Sequence, residues 1–105
     1  MVQNKLYKVK ISEEAQRGLG RIVSFVALNS IQAARVLKKD IVAEISSLKL
    51  FPERTPFLEG EFIPFNKYHK LVVNRNYLVL YQIKDDTVLV DYVIDCRQDY
   101  GWLIR

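Results

Sequence analysis

Residues 68–105, YHKLVVNRNYLVLYQIKDDTVLVDYVIDCRQDYGWLIR, constrain the fold more than any other part of the chain. Three runs rich in Val, Ile, Leu and Tyr, at about 68–74, 77–83 and 87–94, read as strands. Between them stand Asn74-Arg75-Asn76 and Lys84-Asp85-Asp86. Asn and Asp tolerate the positive φ that tight hairpin turns demand, so the runs predict an antiparallel meander. A basic and aromatic group (Lys67, Tyr68, His69, Lys70, Arg75) enters the first strand, and a second (Arg97, Tyr100) leaves the last. If adjacent strands bring the two together, they make one positively charged, aromatic-bearing surface. Such a surface suits a phosphate-rich partner better than a small apolar ligand.

The N-terminal half has a different period. Tyr7, Val9 and Ile11 alternate with Leu6, Lys8 and Lys10, the pattern of a half-buried strand. Ser12 then offers an N-cap oxygen, and Glu13 and Glu14 fall in the first helical turn, where the helix dipole favours anions. Ala15, Leu19, Ile22, Val23 and Val26 fall on one face of that helix. Gly18 and Gly20 each cost it about 1 kcal/mol relative to Ala; they either allow close packing or mark a weak first turn. Asn29-Ser30 breaks the pattern, and Ser30 caps a second helix with Ala34, Leu37, Ile41, Ile45 and Leu48 at helical spacing. Pro52 ends it. So short a junction predicts an antiparallel helical hairpin whose apolar stripe packs on the sheet.

Residues 52–66 hold all three prolines, at 52, 56 and 64, together with Gly60, and read as a long irregular connection. Phe57, Phe62 and Phe65 are expected to tuck under the sheet edge. The order β-α-α-β-β-β argues an α+β fold: an antiparallel sheet of about four strands with a helical hairpin on one face. A chain of 105 residues forms one domain, and with half its residues hydrophobic it buries a core without staples.

Sixteen basic and twelve acidic side chains leave a net charge of +4, which permits an acidic or nucleic-acid partner without requiring one. The surplus lies in residues 1–52, on the predicted helices, where a solvated face is the plainest account. Cys96 is the only cysteine, so no disulfide forms within the chain; at the end of an apolar strand it reads as a buried structural thiol rather than a nucleophile. The segment MVQNKLYKVKI lacks the apolar core of a signal peptide, and no run approaches the roughly 20 apolar residues of a membrane span. The expectation is a cytoplasmic protein.

The chain resembles the RelE/ParE superfamily, the toxins of bacterial type II toxin–antitoxin modules. The resemblance runs through Ser-Glu-Glu-Ala (12–15), Leu-x-x-Phe-Pro (48–52), Lys70-Leu-Val-Val, Asn76-Tyr-Leu-Val-Leu-Tyr and Arg97-Gln-Asp-Tyr100. It covers nearly the whole chain and implies the fold just described, no cofactor or metal, and an antitoxin protein as partner. That partner is expected to lay a helix or arm over an apolar groove beside the helical hairpin.

Two activities occur in the superfamily. RelE-like members enter the ribosome and cut mRNA; ParE-like members inhibit DNA gyrase without nuclease chemistry. The first activity is the leading expectation, the second the alternative, and an inactive antitoxin-binding protein a third. RNA cleavage by the 2′-OH needs a proton acceptor, a proton donor and cations on the developing phosphorane. Arg97 matches the family's C-terminal arginine and reads either as a phosphate clamp or as an ion-pair partner of Asp99 or Asp95. Tyr100 is the candidate aromatic acid, base or stacking group, or else packs at the C-terminus. Lys70 matches a basic position on the first central strand, and His69 is the only histidine. Neighbouring strand residues face opposite ways, so His69 and Lys70 share a substrate only across a bulge. Lys67 and Arg75 are candidate RNA contacts. Tyr77 and Tyr81 read as core packing or base-stacking platforms, and Trp102 as a lid on the core. Leu78 stands where RelE-like nucleases carry an arginine, a departure that brings this strand closer to ParE-like and unassigned members.

Overall fold

The computed structural model describes residues 5–61 and 63–97. The readings of Phe62, Asp99, Tyr100 and Trp102 lie outside the described residues. Strand β1 (Lys8–Ile11) leads into helices α1 (Glu13–Ala27) and α2 (Ile31–Ser47), then a short 3-10 turn (Pro52–Arg54). Strands β2 (His69–Val73), β3 (Tyr77–Lys84) and β4 (Thr87–Asp95) follow. Both helices start as read: Ser12 Oγ accepts from the Ala15 amide and Ser30 Oγ from the Ala33 amide, each at 3.0 Å. Ser12 does more, since its hydroxyl also donates to the Asp91 carbonyl at 2.9 Å and ties the start of α1 to β4.

The sheet order is β1-β4-β3-β2. β2, β3 and β4 form the expected antiparallel meander, with Asn74, Arg75 and Asp85 at φ of 48°, 66° and 55° in its turns. β1 differs from an all-antiparallel sheet, because it lies beside β4 and runs parallel to it. The helical hairpin returns the chain so that β2 runs the way β1 does. After two reversals β4 has that direction again, and the open edge of β4 receives β1.

One residue of β4 is extra. Leu80 pairs with Tyr92 but Tyr81 pairs with Val90, which leaves Asp91 as a bulge. Its carbonyl takes the Ser12 hydroxyl, and its carboxylate accepts from Gln82 Nε2 at 2.6 Å.

The sheet is covered on both faces. On one, Ile22, Leu37, Ile41, Ile45 and Leu48 from the helices bury Val73, Tyr77, Val79, Tyr81, Val88, Val90 and Val93. All five apolar positions read on α2 are buried. Gly18 resolves into close packing: a Cβ there would collide with the Val93 carbonyl oxygen, whereas one at Gly20 would meet nothing. On the other face, Leu58, Tyr68 and Ile63 from the long connection cover Leu78, Leu80 and Ile94. The phenylalanines of that connection divide. Phe57 packs its ring 4.2 Å from that of His69, but Phe65 is 87% exposed and does not tuck under the edge. The Leu58 amide bonds the Tyr68 carbonyl at 2.7 Å, and it is Leu58 that is buried over the outer face.

Candidate functional surface

Arg97 stands just past the end of β4. Its Nε and Nη2 hold Asp95 Oδ1 and Oδ2 at 2.9 and 2.7 Å, and its own amide donates to Asp95 Oδ1 at 2.9 Å. Of the two partners considered for the ion pair, Asp95 is engaged. The arginine side chain is 56% exposed and the aspartate 11%. This pairing holds the Asp95 carboxyl below its usual range, with hydrogen bonding from Arg97 as the largest cause. Arg97 Nη2 also reaches the Tyr77 hydroxyl at 3.3 Å, and the guanidinium carbon lies 5.7 Å from the Tyr77 ring centre. The sequence reading missed this role of Tyr77. It depends on the cross-strand register Tyr77↔Asp95, which no local motif announces.

His69 is built into the fold. Its ring stacks on Tyr81 at 5.2 Å with 14° between planes, and Phe57 closes the other side. Nδ1 is 2.9 Å from the Thr55 carbonyl. Tyr81 is buried, donates to the Pro52 carbonyl at 2.6 Å, and shares a hydrogen bond with Thr55 Oγ1 at 2.6 Å. Burial pushes its phenol upward. Tyr77 and Tyr81 are therefore core residues. Cys96 is half-buried against the outer-face cluster, and burial raises its thiol too.

The remaining candidates separate. Lys70 follows His69 on β2 with no bulge in the β2–β3 register, so the two side chains point to opposite faces. Lys67 places its ammonium 5.2 Å over the Tyr68 ring. Arg75 sits on the β2–β3 turn, its carbonyl 3.7 Å from Cys96 Sγ.

The single basic and aromatic surface expected from the sequence does not form among the described residues. β3 lies between β2 and β4, so those two run in the same direction. The entry to β2, with Lys67, His69 and Lys70, is at one end of the sheet; the exit from β4, with Arg97, is at the other. Four residue steps along β2 lead from His69 to Val73, about 13 Å along the strand. Only Arg75, at the far end of β2, shares the Arg97 end.

A helical hairpin on one face of a four-stranded mixed sheet is the arrangement of the RelE/ParE superfamily toxins. Residues 9–100 match the family described as ParE toxin of type II toxin-antitoxin system, parDE. The chain belongs to the ParE toxin family. A solved structure of the chromosomal ParDE toxin–antitoxin system of P. aeruginosa superposes with a TM-score of 0.71 at 17% identity, covering 87% of this chain and 97% of that one. The solution structure of a conserved hypothetical protein from Helicobacter pylori gives 0.58, also at 17% identity, covering 89% and 98%. A comparison with curated protein sequences finds no match. Among the described residues no helix is long and apolar enough to cross a membrane.

Proposed function

We propose that this toxin works by binding and inhibiting DNA gyrase, as ParE-like proteins do, and that a cognate antitoxin restrains it by binding. The observation that carries this reading is the scatter of the cleavage candidates among the described residues. RNA cleavage needs its acid, base and cation around one phosphate, held within hydrogen-bond reach. Here His69 is packed between two rings, Lys70 points to the other face, and Arg97 is at the far end holding Asp95. Leu78, where a RelE-like nuclease has arginine, is buried in the outer-face core.

The test is induced expression in a bacterium with two readouts, plasmid supercoiling and primer extension on mRNA. Lost supercoiling with intact mRNA supports gyrase inhibition. Ribosome-positioned cuts with normal supercoiling overturn it in favour of the endoribonuclease, with Arg97 and Tyr100 as the first residues to vary. Normal growth with neither change leaves the protein as an antitoxin partner without a toxin's activity.

A further inference from the structure

The apex of the helical hairpin extends past the sheet. α1 runs along β4 in the same direction, since Ser12 bonds Asp91 and Gly18 abuts Val93. The last turns of α1 therefore pass the end of β4. On α2, Asp40 Oδ2 accepts from Asn74 Nδ2 at 3.0 Å at the β2–β3 turn. Ile31 is nine residues before it, about 13 Å further along the helix. Phe25, Leu28 and Ile31 at this apex are 66%, 81% and 64% exposed. Three large apolar side chains on one protruding knob are more than the scattered exposure normal for a soluble protein.

Charge gathers at the same end. From residue 15 to residue 39 the chain carries five bases and no acid. Arg17 and Arg21 are held by Glu13 and Glu14. Arg35, Lys38, Lys39 and Arg75 have no salt-bridge partner among the described residues. Ile31, Arg35 and Lys38 fall on one face of α2 by their spacing. Among the described residues the acids of this end are Asp40, which accepts from the Asn74 amide, and Asp95, which Arg97 neutralises.

The geometry points to this apex as the surface that docks on the toxin's target: a protein with an apolar recess rimmed by Asp and Glu. The idea rests on the reading that this toxin acts by binding. A convex knob needs a concave partner, whereas an antitoxin arm or helix needs a groove. Large apolar side chains at its centre suit a protein recess better than a nucleic-acid backbone, and the ring of free bases is complementary to a carboxylate rim.

Two variants test it, Phe25→Ser/Leu28→Ser/Ile31→Ser and Arg35→Glu/Lys38→Glu, both confined to exposed positions. The readouts are growth arrest on induction, co-purification with the antitoxin, and thermal unfolding. The expected result is a folded toxin that binds antitoxin and needs about tenfold or more expression to arrest growth. Should the apolar variant fail to fold, the charge reversal decides. Arrest at the wild-type dose by both variants overturns the proposal. Loss of antitoxin binding also overturns it, since the apex would then be the antitoxin's seat. Wild-type binding to a DNA duplex that only the charge reversal abolishes overturns it in favour of a phosphate partner. Growth arrest reads any target. If purified toxin leaves gyrase active while the apex variants abolish arrest, the gyrase reading fails and the docking surface stands.

Discussion

Arg97 and Asp95 are joined through two parallel hydrogen bonds at 2.9 and 2.7 Å, a fork-to-carboxylate contact closed by residues two apart at the end of β4. Asp95 is much the more buried of the two, so removing the arginine leaves a carboxylate in a place chosen for an ion pair. The sign of the pH dependence follows. A depressed carboxyl pKa stabilises the fold above the unfolded-state value of about 3.9, and that contribution is lost as pH falls through the folded-state value. Arg97→Ala should therefore unfold at lower urea than wild type at pH 7, with the gap closing as both are taken into acid. An NMR titration of Asp95 should show its pKa rising in the variant. An unchanged midpoint at pH 7 would mean that the pair is held by the fold and does not help to hold it.

The two glycines of α1 should respond in opposite directions. At Gly18 a methyl group meets the Val93 carbonyl oxygen, so Gly18→Ala forces α1 away from β4 and should cost about 1–3 kcal/mol. Gly20 faces open space in the same helix, so Gly20→Ala should stabilise by about 0.5–1 kcal/mol through helix propensity. Urea midpoints of the two variants measured side by side check this. Equal shifts would show that propensity, and not packing, governs both positions.

Tyr81 and His69 should behave as structural residues. Tyr81→Phe removes the donor to the Pro52 carbonyl and the partner of Thr55 Oγ1 at a buried site, a loss of about 1–3 kcal/mol. His69→Gln should also lower stability, by about 1 kcal/mol, through lost stacking on Tyr81 and lost ring contact with Phe57. Neither should abolish growth arrest while the protein stays folded. A folded His69→Gln toxin that no longer arrests growth would give the histidine a functional role.

Much of the architecture is legible in the order of residues alone. The residues buried on α2 and at its C-cap are the five at helical spacing, because a single face must meet the sheet and period 3.6 marks that face. The turns at Asn74–Asn76 and Asp85 follow from which residues accept positive φ. Ser12 is readable as a cap but not as the residue that fastens the Asp91 bulge, since the bulge exists only between two strands. Phe65 shows the converse: a large apolar residue in a loop carries no periodicity to say which way it faces.

The candidate surface divides in the same way. That Arg97, His69, Lys67, Lys70 and Arg75 carry positive or titratable groups is a property of the sequence. Which of them meet was decided by strand order, because inserting β3 between β2 and β4 sends the entry of one and the exit of the other to opposite ends. Local sequence determined the elements, their caps and their buried faces, since these depend on backbone preference and on repeats a few residues long. Tertiary structure alone decided the parallel seat of β1, the fit of Gly18 against Val93, the pairing of Arg97 with Tyr77, and the apolar apex beyond the sheet. Each of these depends on distances between segments far apart in the chain, and no short pattern encodes them.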